Sequence, residues 1–143
     1  ALRASIERGN SAWEEQLLVA HYRLARSRRS LDPERFVNNP AWEEHHRGFH
    51  LALLAGCGAR GLLSFCADLH DRTTRYRRLS KDLAPQRDVA GEHAHLLECA
   101  LARRIEDAVQ ALLVHYRRTG DLVSSSLEAG AKARQSRTEN GPR

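Results

Sequence analysis

His46 and His50 stand one helical turn apart in a stretch whose other landmarks, Trp42, Phe49, Leu53 and Leu54, are apolar. Residues at i and i+4 leave a helix from the same face, about 6 Å apart along its axis. A fold that buries this face therefore buries two imidazoles with it. Two later segments repeat the situation: His93 shares a stripe with Val89, Leu96 and Leu97, and His115 shares one with Ala111 and Leu112. One buried histidine is satisfied by a backbone hydrogen bond, whereas four desolvated without partners cost on the order of several kcal/mol. A divalent ion shared by His46, His50, His93 and His115 removes that cost by taking up the ring lone pairs. Zinc is the first expectation, with nickel or another transition metal next. His21, His45, His70 and His95 read as solvent-facing or rim positions.

Turn signals cut the chain into segments of helical period, and none shows sustained strand alternation. Residues 1–8 end a helix. Gly9-Asn10-Ser11 closes it and caps the next, over residues 12–28, with Trp13, Leu17, Ala20 and Leu24 on one stripe. Asp32-Pro33 and Asn38-Asn39-Pro40 bracket a loop. A third helix starts with Pro40 in its first turn and ends at Gly56-Cys57-Gly58. A fourth spans residues 59–81, carrying Leu62, Leu63, Cys66, Leu69, Thr73 and Tyr76, and is broken by Pro85. A fifth spans 88–103 and a sixth 105–127. The fold class expected is an all-α, antiparallel bundle of about six helices over residues 1–127. Residues 128–143 lose the periodic apolar positions and are expected to be a disordered tail.

A chain of 143 residues with 41% hydrophobic and 29% charged positions can bury a core as one domain. Its net charge of +5 is spread among acids, except in residues 23–29, residues 72–78 and the tail, and reads as solvated helix faces. No apolar run nears the roughly 18 residues that cross a bilayer. Three cysteines without a C-x-x-C pair point to core thiols in a reducing compartment, so a cytoplasmic protein with no membrane partner is expected. The start at Ala1 and the absence of methionine read as a fragment of something longer.

The run His46-x-x-Phe49-His50-x-x-Leu53, then Arg87-Asp88-Val89-x-x-Glu92-His93, then Val109-x-x-Leu112-x-x-His115, resembles the FCD domain. That is the C-terminal effector-binding domain of the FadR subfamily of GntR-type transcription regulators. The resemblance covers residues 1 to about 125. Ala12-Trp13-Glu14-Glu15 and Arg75-Tyr76-Arg77-Arg78-Leu79-Ser80 are similar to the branch related to the carbon-starvation regulator CsiR. The resemblance implies a divalent metal held by one Asp and three His, with His50, His93 and His115 in the histidine places and His46 in the place of the Asp. It also implies a small organic acid as effector, a dicarboxylate such as glutarate being a first trial. A homodimer follows as well, with operator DNA bound only through an N-terminal winged helix-turn-helix absent from this sequence. The first FCD helix is expected to be truncated before Ala1.

A carboxylate effector calls for a guanidinium, and Arg75 and Arg78, flanking Tyr76, are the first candidates, with Arg72 third. No catalytic residue is expected, so the chain is not read as an enzyme. Three competing readings remain: a helical metal-dependent enzyme using Glu92 beside His93, a metal-free helical interaction module, and direct nucleic-acid binding through the basic stretches.

Overall fold

The computed structural model describes residues 1–79 and 87–139. These residues form α1 (Leu2–Arg8), α2 (Ser11–Ala25), α3 (Pro40–Ala55), α4 (Arg60–Leu79), α5 (Val89–Leu101) and α6 (Ile105–Glu139). Among them there is no strand, only an isolated antiparallel bridge between Ser30 and Asn38 in the α2–α3 connection. No helix is long and apolar enough to cross a membrane. The turn residues of the sequence become helix caps. The Asn10 side chain accepts from the Trp13 amide at 3.0 Å, Asn39 from Ala41 at 3.1 Å and Asp88 from Gly91 at 2.8 Å. Each satisfies one amide that a helix start leaves without an intrahelical partner.

α2 ends at Ala25, three residues short of the expected stop, because the Ser27 hydroxyl takes the Arg23 carbonyl and turns the chain toward the loop. Pro85 and the end expected for α4 at residue 81 lie outside the described residues. The expected disordered tail is corrected over most of its length. α6 does not stop at Leu127 but continues to Glu139. Alanine, glutamate, lysine and arginine carry good helix propensity and no proline interrupts them, so the helix propagates after its apolar stripe has ended.

The core gathers Ile6 from α1, Leu17 from α2, Phe49 and Leu53 from α3, Leu96, Cys99 and Ala100 from α5, and Ala108 from α6. Cys57 and Cys99 are free and buried, as core thiols should be. α1 is held closely against the end of α3. The Gly56 amide donates to the Ser5 hydroxyl at 2.8 Å, and a β-carbon at Gly56 would lie 2.7 Å from the Ser5 carbonyl oxygen. Only glycine permits this approach. Arg103, past the end of α5, takes a left-handed φ of 56°. Its guanidinium donates to the Ile6 and Gly9 carbonyls and pairs with Glu14, which fastens that turn to α1 and α2.

Candidate metal and effector site

Three helices deliver the four histidines to one place. His46 and His50 come from the inner face of α3, His93 from α5 and His115 from α6, and all four are buried. One nitrogen from each lies within 4.8 Å of the others. His46 Nε2 and His50 Nε2 face each other at 3.1 Å. Trp42 stacks on His46 with ring centroids 4.6 Å apart, and Phe49 packs edge-on to His50 and His93. The aromatic walls keep water from solvating the rings.

Burial pushes every one of these imidazoles toward the neutral form. His46 and His50 are lowered well below the ordinary value by desolvation and then by their imidazole neighbours. His93 falls to about 3 for the same leading reason. His115 is lowered by burial, against the opposing effect of the hydrogen bond it makes to Glu92. Four neutral imidazoles carry free lone pairs, the state a metal requires.

Glu92 sits behind His115, with Oε2 2.7 Å from Nδ1. This fixes the proton on Nδ1 and leaves the Nε2 lone pair for the centre, as a carboxylate does behind a metal-bound histidine. Burial raises the Glu92 pKa, but hydrogen bonds from Arg87, Arg118 and His115 outweigh it and hold the carboxylate at about 2. A group so committed has no proton to exchange near neutrality, which weighs against the enzyme reading. The residues also fit a metal by what they leave unsatisfied: His93 Nε2 and His46 Nδ1 are buried without a hydrogen-bond partner among the described residues.

Beside the histidines opens a cavity of about 750 Å³. Its wall includes His46, His50, His70, His115 and the guanidinium groups of Arg29, Arg77 and Arg87. Arg77 reaches Glu43 at 2.5 Å, and Arg87 grips Glu92 through two nitrogens, at 2.6 and 3.0 Å. Arg29 lies over the rings of Phe36 and Trp42, at 5.6 and 5.7 Å, without a carboxylate partner among the described residues. Desolvation, followed by the nearby charge of Arg77, lowers its pKa.

The effector residues expected from the sequence divide. Tyr76 lines the cavity, whereas Arg75 and Arg78, like Arg72, are exposed and outside its wall. The half-buried positions of α4 are Leu63, Cys66, Ala67, His70, Thr74 and Arg77. The expected stripe Leu62, Leu63, Cys66, Leu69, Thr73 and Tyr76 shares Leu63 and Cys66 with them, and Leu69, Thr73 and Tyr76 line the cavity wall, whereas Arg72, Arg75 and Arg78 fall on the exposed side of the helix. His70 is accordingly no rim residue: its side chain is 10% exposed, and its ring lies 5.4 Å from His46 and 5.5 Å from His50. His21 is half-buried edge-on to Phe49, His45 meets Ser27 at 2.5 Å, and His95 is exposed.

Comparison with known proteins agrees with the geometry. The family model described as FCD domain matches residues 1–118. An uncharacterized HTH-type transcriptional regulator, BphR of Paraburkholderia xenovorans (strain LB400), is 35% identical over 80% of this chain and 47% of its own length. The HTH-type transcriptional repressor GlaR of Escherichia coli (strain K12) is 28% identical over 78% of this chain and 52% of its own. The chain thus spans about half the length of these curated relatives. No solved structure matches at the same stringency.

Proposed function

Since the chain belongs to the FCD domain family of GntR-type transcription regulators, we propose that it is a ligand sensor in which a divalent metal and a carboxylate effector meet at the histidine centre. The observation that carries this reading is the set of four buried, neutral imidazoles with converging nitrogens, two of the rings holding a nitrogen without a partner. His46, His50, His93 and His115 would hold the ion, zinc first, and Glu92 would orient His115. When bound, the ion supplies a Lewis-acidic anchor for an anionic group.

The cavity supports an acidic effector of this kind. Four neutral ligands leave the ion's charge of +2 undiminished, where a carboxylate ligand would halve it. Arg77 and Arg87 are already neutralised by Glu43 and Glu92, so Arg29 is the guanidinium with charge to offer an incoming carboxylate. Glutarate is a fair first trial. The wall also carries Leu51, Leu54, Leu69, Leu112 and Tyr116, so an acid with an apolar body belongs in the same screen. The effector would bias DNA binding by a helix-turn-helix domain elsewhere in the intact regulator, acting as a homodimer. No catalytic step is assigned to the chain.

Elemental analysis of untagged protein beside a His50→Ala/His93→Ala double variant tests the centre. About one zinc, nickel or similar ion per chain in the wild type and none in the variant is the expected result. A metal-free wild type whose thermal midpoint no divalent ion raises would leave the histidines as core residues.

A further inference from the structure

α4 brings a fifth imidazole to the centre that neither the ligand set nor the core accounts for. The His70 ring centroid lies 5.4 Å from His46 and 5.5 Å from His50, a little beyond most spacings within the quartet and inside the 6.4 Å that separates His46 from His115. Its side chain is nine-tenths buried, and its Nδ1 is buried without a hydrogen-bond partner among the described residues. Behind that nitrogen, 3.8 Å away and beyond hydrogen-bond length, stands Asp71 Oδ1. At His115 the corresponding carboxylate, Glu92, is in hydrogen-bond contact at 2.7 Å. A carboxylate behind one nitrogen presents the other as a ligand.

His70 differs from the quartet in its support. It lines the cavity, on the side from which an effector would come. It also rides on a helix that buries no whole residue among those described. Beside His70, α4 is held to α3 by Arg47 with Asp71 at 2.7 Å and Arg77 with Glu43 at 2.5 Å. A ligand mounted this way can leave without opening the core.

We infer that His70 is an exchangeable fifth ligand of the centre: it closes the ion's cavity side when no effector is bound and gives way to the effector carboxylate, freeing α4. The inference rests on the metal reading above. It assigns α4 as the element that carries the signal, because effector occupancy and attachment of α4 to the centre become mutually exclusive.

The test uses Co(II) as the metal and acetate as the carboxylate, with His70→Ala beside the wild type. Losing a ligand should weaken Co(II) binding about tenfold and change the visible Co(II) spectrum. Losing a competitor should make acetate bind more tightly, since no ring has to be displaced first. Acetate binding that is weaker or unchanged in the variant would overturn the inference, as would an unaltered Co(II) spectrum. Failure of the wild type to take up Co(II) would sink the underlying metal reading as well, and so is distinguishable. Should the variant misfold, the wild type still answers. Carbethoxylation of His70, followed by mass spectrometry, should slow when Co(II) is added and recover with acetate. A His70 rate indifferent to both additions would overturn the proposal.

Discussion

α3 and α4 lie side by side and both send histidines to the same centre, yet they are built in opposite ways. α3 buries Trp42, Glu43, His46, Phe49, His50, Leu53 and Leu54 in sixteen residues. α4, with twenty, leaves Leu62, Phe65, Leu69 and Tyr76 between 41% and 58% exposed and reaches inward through the polar tips of His70 and Arg77. Apolar burial fixes the first helix, whereas the second combines the half-buried Leu63 and Cys66 with polar contacts at the centre. A sensor needs both kinds: ligands whose places do not change, and an element whose place depends on what occupies the site.

The sharpest way to break this comparison is a pair of matched truncations. Phe49→Ala, at a fully buried position on α3, should destabilise the protein by about 3–5 kcal/mol in urea unfolding. Phe65→Ala on α4, 58% exposed, should stay within about 0.5 kcal/mol. Comparable losses at the two sites would mean that α4 is a core helix after all.

The ion pairs order themselves in the same sense. Glu43 and Arg77 are 9% and 13% exposed, so Glu43→Ala takes the buried carboxylate from Arg77 and should cost about 3 kcal/mol. Asp71→Ala removes the exposed partner of Arg47 and should cost no more than about 1 kcal/mol.

Acid should act on both helices. His46, His50, His70, His93 and His115 have folded-state pKa values below the ordinary 6.5, so below that pH the unfolded chain binds more protons than the folded one. Stability of the metal-free protein should therefore fall as pH falls from about 6.5, down to about 4 for His70 and about 3 for His93. Each such proton contributes a slope of up to about 1.4 kcal/mol per pH unit. Urea midpoints at successive pH values would show it, and a flat profile between pH 6.5 and pH 4 would contradict the burial of neutral rings.

The smallest effect is expected on the outer face of α4. Arg75→Ala and Arg78→Ala should leave both stability and acetate binding unchanged within error, whereas Arg29→Ala should weaken acetate binding measurably by calorimetry.

Much of this was legible in the chain itself. Asn10, Asn39 and Asp88 announce helix starts through local chemistry, and the quartet announces itself because each of its histidines shares a stripe with leucine, valine or phenylalanine. The inward reach of His70 and Arg77 was not legible. They stand beside the apolar stripe of α4 rather than on it, and what draws them in, Glu43 and the imidazoles of α3, is distant in sequence. A pattern read along one helix carries no record of a tertiary partner that outbids it. The reach of α6 was missed for the reverse reason, since propensity alone extends a helix that packing no longer rewards.

The contact between Ser5 and Gly56 has a mechanical meaning. With no side chain between them and a hydrogen bond across the gap, α1 and the end of α3 behave as one rigid strut. A slide of α3 by a fraction of an ångström at His46 would then be carried about 15 Å along the helix to Gly56 and across the bond into α1.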